Sequence, residues 1–262
     1  MTGYALQQER ISDVSRRFYV DAGAISGDTI TITGEDVNHI KNVLRKREGE
    51  ELLISSGNGL VYTTKIKEET SDHIACTIID CNGGKAELPA KIVLFQGLPK
   101  KDKMDLIVQK AVELGAAEIV PVVMERTIVK LEDRKKEEKR LQRWNTIALT
   151  AAKQSGRDII PPVSDFVTFD EAVKRAASFE MNLIPYENEK GMAGARELVK
   201  EAAAKKTIGI FIGPEGGITD EELKESSEIC NAKPMTLGHR ILRTETAGLA
   251  LLSVLMFNVD PD

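Results

Sequence analysis

Apolar residues in the first third of the chain recur at every second position in short bursts, whereas beyond residue 90 they form continuous runs alternating with stretches of helical spacing. The alternating part predicts strands at 17–20, 29–33, 51–55, 60–67 and 73–80. One helix interrupts them at 35–44, where Val37, Ile40, Val43 and Leu44 share a face. Gly57-Asn58-Gly59 supplies a hairpin turn, and short strands joined by such turns predict a compact β-barrel. Asn82-Gly83-Gly84-Lys85, with Pro89 shortly after, marks a linker. The pattern therefore divides the chain into a polar, aperiodic extension at 1–15, a small β domain at 16–82, a linker at 83–90 and a larger domain at 91–262.

In the larger domain the runs predict strands at 91–96, 118–123, 182–186, 207–212 and 233–237. Helices are predicted at 103–114, 134–154, 169–177, 195–205, 219–230 and from about 245 to 257, the first closed by Gly115 and the second carrying the stripe Leu141, Trp144, Ala148 and Ala151. Strands linked by helices mean an α/β fold with a mostly parallel sheet and flanking helices. Two strand-to-helix corners stand out: Gly213-Pro214-Glu215-Gly216-Gly217, and the run from Leu237 to Ala247. Glycines at such corners leave backbone N–H and C=O groups open to a ligand, at the strand ends where α/β sheets bind. Thr219 and Glu222 form a capping box that starts a helix directly after the first corner. Neither corner carries the lysine of a triphosphate loop or the spacing of a dinucleotide loop, which argues against both ligands.

Charge changes the picture of partners. The net charge is -5, but residues 97–157 hold 14 Lys+Arg against 9 Asp+Glu, while the flanking parts are acidic. Phosphate contact depends on local cationic density, so Arg140 and Arg143 are candidates for contact with a phosphate backbone, with a solvated helix face as the alternative. No apolar run approaches a membrane span, and no signal-peptide core stands at the N-terminus. Cys76, Cys81 and Cys230 lack metal-ligand or disulfide spacing, consistent with reduced thiols in a cytoplasmic protein without a metal site.

The two corners do not stand alone. Together with Arg17-Phe18-Tyr19-Val20, the run from His39 to Arg45, Leu98-Pro99-Lys100, the run from Gln109 to Gly115, Glu125-Arg126, Arg143-Trp144 and Gln154-Ser155-Gly156-Arg157, they resemble the RsmE-type ribosomal RNA methyltransferases of the SPOUT superfamily. The resemblance covers nearly the whole chain from about residue 16, with Ser55-Ser56 as a departure where relatives often carry an aspartate. It implies a PUA-like β-barrel domain followed by a SPOUT-type, trefoil-knotted sheet. It also implies S-adenosylmethionine as cofactor, N3 of a uridine in 16S ribosomal RNA or the assembled small subunit as target, and a homodimer. Leu249, Leu252, Leu255 and Met256 of the last helix offer an apolar surface for that dimer. A transfer RNA ribose hydroxyl as target and a non-catalytic RNA-binding module are the alternatives.

On this resemblance Leu237, Gly238, Ile241 and Leu242 hold the adenine, and Gly213, Glu215 and Gly216 carry the ribose or methionine side. Thr246 either bonds the cofactor or caps the last helix. Methylation of a weakly acidic imide needs negative charge stabilised on its carbonyl oxygens, and Arg126, Arg157 and Arg243 are the catalytic candidates, each with ion pairing as its alternative. Arg17, His39 and Arg45, with Arg140 and Arg143, are candidates for RNA contact. His39 and His239 are also possible bases, against a structural role.

Overall fold

The computed structural model describes residues 17–129 and 133–260, and the extension at 1–15 lies outside the described residues. The chain forms two compact units, and the division is not a single cut. Ala152–Ile160 belongs with the residues up to Glu87, while Leu88–Ala151 and the residues from Pro161 onward make the second unit.

In the first unit, β1 (Arg17–Tyr19), β2 (Ile25–Ser26), β3 (Thr29–Thr33), β4 (Glu51–Ser55), β5 (Leu60–Glu69) and β6 (His73–Gly83) form one sheet in the order β1-β4-β5-β6-β3-β2. Every pairing is antiparallel except β1 with β4. Alternation places Ile30, Ile32, Leu52, Ile54, Ile66 and Ile74 in one core, where Val37 and Ile40 join them. The expected ten-residue helix is instead one turn, α1 (Glu35–Asn38), continued by a π turn at His39–Val43. That wider turn, marked by the Leu44 N–H donating to His39 C=O, keeps Ile40 buried but carries Val43 out to 59% exposure. Asn82 and Gly83, expected to open the linker, pair with Val61 and Leu60 and complete β6.

The segment Ala152–Ile160 is bound into this unit by polar groups. The Arg17 guanidinium donates to the Asp158 carboxylate and to Gly156 C=O, Arg157 pairs with Glu87, and the Tyr19 hydroxyl donates to the carbonyls of Ala152 and Arg157. Glu87 also accepts from the backbone N–H groups of Asp158 and Ile159. Burial pushes the Tyr19 phenol up to about 12.

In the second unit, β7 (Lys91–Gly97), β8 (Glu118–Val123), β9 (Val167–Thr168), β10 (Met181–Pro185), β11 (Thr207–Ile212) and β12 (Lys233–Met235) form a wholly parallel sheet in the order β12-β10-β11-β7-β8-β9. The helices are α2 (Lys103–Glu113), α3 (Arg134–Ser155), α4 (Phe169–Ala176), α5 (Met192–Ala203), α6 (Asp220–Cys230) and α7 (Thr244–Val259). The central strands β7 and β11 are buried almost end to end, which is why they carry unbroken apolar runs, and Phe95 stacks on Phe211 with ring centroids 4.6 Å apart. The capping box of Thr219 and Glu222 is present at α6, and a second one, Thr168 with Glu171, starts α4. On α7, Leu252 and Leu255, with Leu251, are fully buried and so belong to the core rather than to an exposed surface. The exposed apolar residues of that helix are Val254 and Phe257.

Candidate functional site

Parallel strands deliver their carboxyl ends to one edge, so the segments leaving β7, β10, β11 and β12 gather there. They enclose a cavity of about 480 Å³, lined by Gly213 to Ile218 after β11, Thr236 to Thr244 after β12, Pro185 to Glu187 at the end of β10, and Lys103 at the start of α2. The size is that of a small-molecule site. Its apolar wall comprises Ile212, Leu237, Leu242 and Ala247. Gly217 and Gly238 hold left-handed backbone, with φ of 74° and 111°. At Gly213 and Gly216 the constraint is space: a β-carbon would stand 2.8 Å from the Ile218 side chain at the first and 2.8 Å from that of Arg126 at the second.

Beneath the cavity lies a buried relay. Gln96, the penultimate residue of β7, is fully buried and donates through Nε2 to Gly97 C=O and to the Thr244 hydroxyl, each at 2.9 Å. With its oxygen occupied as acceptor, the Thr244 hydroxyl donates to Gly213 C=O at 2.6 Å. Three segments, the end of β7, the first turn of α7 and the corner after β11, are thus fixed to one another by two side chains.

Two of the charged lining residues, Lys103 and Glu215, belong to one ion-paired cluster. The Lys103 ammonium lies 3.0 Å from Glu215 and 3.1 Å from Glu245, and Glu215 also accepts the Lys100 N–H. The bond from Glu215 holds the Lys103 amine above its usual value, burial opposing. Burial would raise the Glu215 carboxyl, but the bonds from Lys103 and the backbone outweigh it and the net shift is downward. The Tyr186 hydroxyl donates to Asp220 at 2.5 Å, which raises the phenol. Arg126 donates to Gly216 C=O at 2.8 Å and so holds the first corner from outside.

Seven of the residues expected at a cofactor line this cavity: Gly213, Glu215, Gly216, Leu237, Gly238, Ile241 and Leu242. Ile241 is 92% exposed, so it stands at the rim rather than against a buried wall. Thr246 is not among the lining residues; Thr244, two positions earlier, is. The arginines separate. Arg243 lines the cavity and Arg126 braces its corner, whereas Arg157, 4% exposed, is engaged by Glu87, and Arg17 by Asp158, both in the first unit. His39 packs its ring at a tilt on Phe18, 6.2 Å between centroids, and Arg45 is exposed in left-handed backbone. Arg140 is exposed on α3, and Arg143 pairs with Asp105, which also accepts the Trp144 indole N–H at 3.2 Å. His239 is exposed and lines the cavity. Gln96, Lys103, Tyr186, Glu187 and Thr244 were not among the site candidates read from the sequence, although Thr244 lies in the run from Leu237 to Ala247; for the others the rule that ligands meet parallel sheets at strand ends was the one signal. Among the described residues no group of three or more His, Cys, Asp or Glu is placed to hold a metal, and no helix is long and apolar enough to cross a membrane.

Comparison with known proteins finds two domain families in the chain. An RNA methyltransferase domain family matches residues 86–256, and an RNA methyltransferase PUA domain family matches residues 32–79. The chain is 37% identical over 235 residues to the ribosomal RNA small subunit methyltransferase E of Bacillus subtilis, covering 88% of this chain and 91% of that one. Among solved structures it resembles a ribosomal RNA small subunit methyltransferase E from Neisseria gonorrhoeae bound to S-adenosyl methionine, at 33% identity and TM-score 0.75, covering 92% of this chain and 97% of that one. A putative methyltransferase from Legionella pneumophila, in complex with the bound cofactor SAM, is similar at 32% identity and TM-score 0.73, covering 91% and 96%.

Proposed function

The chain belongs to the family of ribosomal RNA small subunit methyltransferases E, and from that membership we propose that it methylates N3 of a uridine in 16S ribosomal RNA with S-adenosylmethionine as methyl donor. The observation that carries this reading is the cavity built from both glycine corners, whose lining combines the apolar Ile212, Leu237, Leu242 and Ala247, which suit a flat base, with the Lys103–Glu215 ion pair. When bound, the cofactor supplies an electrophilic methyl group.

The remaining work falls to this chain's own residues. The Gln96–Thr244–Gly213 relay and Arg126 fix the two corners, so orientation is set before substrate arrives. To Arg243, which lines the cavity, is exposed and has no side-chain hydrogen bond or ion pair among the described residues, we assign the role of meeting a carbonyl oxygen of the uracil as N3 loses its proton. Arg126 acts by holding Gly216, and Arg157 by holding the first unit together. An imide is acidic enough for such charge stabilisation to suffice, whereas a ribose hydroxyl would call for a strong general base. Nuclease digestion of 16S ribosomal RNA from cells with and without the protein, followed by mass spectrometry of nucleosides, checks the product: N3-methyluridine is expected, and 2′-O-methyluridine would overturn the target atom.

The same reading includes a homodimer, a cytoplasmic location and a knotted threading of the corner at 236–247. Support for the dimer is the exposed pair Val254 and Phe257 on α7, the latter 84% exposed, with Leu106 exposed on the adjoining α2. Light scattering giving a monomer mass at micromolar concentration would refute it. Cell fractionation tests the location and a crystallographic chain trace the knot.

A further inference from the structure

Single apolar side chains at a protein surface are common and call for no explanation. Ile241 differs from the others of this chain in two respects. At 92% exposure it is the most open large apolar side chain among the described residues, and of that exposed set it alone lines the cavity. Its neighbour Leu242 is half-buried in the lining. The corner after β12 therefore keeps one aliphatic residue in the cavity wall and the other open at the rim.

The charges around Ile241 narrow what can cover it. His239, Arg240 and Arg243 are exposed on the same corner, and the two guanidinium groups have no hydrogen bond or ion pair among the described residues. Lys103, the lysine of the lining, is by contrast held by Glu215 and Glu245. An aliphatic side chain between two free guanidinium groups suits a partner with apolar faces and repeated negative charge, which is the chemistry of a nucleic-acid strand. The reaction adds a requirement of its own. N3 lies on the pairing edge of uracil, and enzymes that act on a base take it out of its pair and its stack first. Proteins that open base steps do so with apolar wedges such as Ile or Leu.

We propose that Ile241 is such a wedge, entering the RNA beside the target uridine and covering the base that the uridine leaves, while Arg240 takes an adjacent phosphate. Ile241 is thus a positioning residue for the substrate and not part of the wall that meets the adenine. The proposal rests on the uridine N3 reading above.

The test uses 16S ribosomal RNA and small ribosomal subunits from cells lacking the protein. In Ile241→Ala the single-turnover methylation rate at saturating substrate should fall at least about tenfold, whereas Ile241→Met should keep most of it. Affinity for S-adenosylhomocysteine in calorimetry and mass in light scattering should match those of wild-type protein. Acylation of ribose 2′-hydroxyls, which marks unstacked nucleotides, gives the direct readout. With wild-type protein and S-adenosylhomocysteine, the nucleotides beside the methylated uridine should become reactive; with saturating Ile241→Ala they should not. An undiminished rate, or the same acylation pattern with both proteins, overturns the proposal. So does weaker S-adenosylhomocysteine binding, which would return Ile241 to the adenine, or a changed mass, which would make it a subunit contact. Absence of methyl transfer by wild-type protein to either substrate would bring down the functional reading itself, and the wedge with it.

Discussion

The two units differ in where their connected polar side chains stand. In the first, an antiparallel sheet with a compact aliphatic core takes up a distant segment, and buried or half-buried charges, Arg17 with Asp158 and Arg157 with Glu87, secure it. In the second, an apolar cluster fills the sheet core, and while Glu118 pairs with Arg175 and the buried Asn182 donates to two carbonyls outside the cavity lining, Gln96, Thr244, Lys103 and Glu215 form a connected polar set at the strand ends around the cavity. Arginines that look alike in the sequence are therefore different objects: Arg17 and Arg157 complete a fold, whereas Arg126 and Arg243 attend a site. A buried guanidinium already matched to a carboxylate has little left to offer a substrate.

The largest effect should come from breaking that match. Arg157→Met leaves the Glu87 carboxylate half-buried without its cation, and about 3–5 kcal/mol of stability should be lost from the first unit, read by urea denaturation. Cofactor affinity of the folded fraction should not change. If Arg157→Met instead abolished methyl transfer at undiminished stability, the division drawn between the units would fail. Acid sharpens the same contrast. Burial pushes the Glu87 carboxyl up, but bonds from Arg157 and from the N–H groups of Ile159 and Asp158 prevail, so its folded value lies below the ordinary 4.5. A depressed carboxyl stabilises the fold above its unfolded value and loses that contribution as pH falls through the folded one. Wild-type stability should therefore decline below pH 4.5, and Glu87→Gln should flatten that limb.

A middle-sized effect is expected in the other unit. Gly238 has φ of 111°, and although nothing lies within 4 Å of where a β-carbon would stand, Val at this position strains the backbone that faces the cavity. Gly238→Val should weaken S-adenosylmethionine about tenfold or more in calorimetry and leave the first unit's unfolding unaltered. Unchanged affinity in the folded variant would remove Gly238 from the site. The smallest effect concerns α3. Arg143 is committed to Asp105, so Arg140→Glu should lower the salt slope of RNA binding by about one, and Arg143→Glu by less.

How much of this could be read from residues alone depended on the distance over which each signal acts. Strands β3 and β4 were legible to the residue, because alternation of Ile30, Ile32 and of Leu52, Ile54 is a property of neighbours, whereas the two-residue β2 was missed and β6 runs three residues past its expected end. The corner at Gly213 and the capping box at Thr219 were legible for the same reason. Their grouping with the corner after β12 required the family resemblance, since β11 and β12 are not adjacent in the sheet. The π turn was hidden because a single inserted residue per turn leaves Val43 at a spacing that suits an ordinary helix. Glu87 and Asp158 carry no local mark at all: their partners Arg157 and Arg17 lie 70 and 141 positions away. Lys103 was passed over because the charges that give it meaning, on Glu215 and Glu245, come from two other segments.

The inserted segment Ala152–Ile160 also sets a schedule. A chain made from its N-terminus delivers every strand of the first unit by Gly83, yet the anchors for Arg17, Tyr19 and Glu87 are synthesised only after β7, α2, β8 and most of α3. At a synthesis rate of about 5–20 residues per second, that is a wait of several seconds with polar groups still hydrated and a sheet lacking its tie. The nascent first unit should stay open to protease until residue 160 has left the ribosome, a threshold that digestion of arrested chains would locate. The first unit to be translated is thus expected to be completed only when the second is well under way.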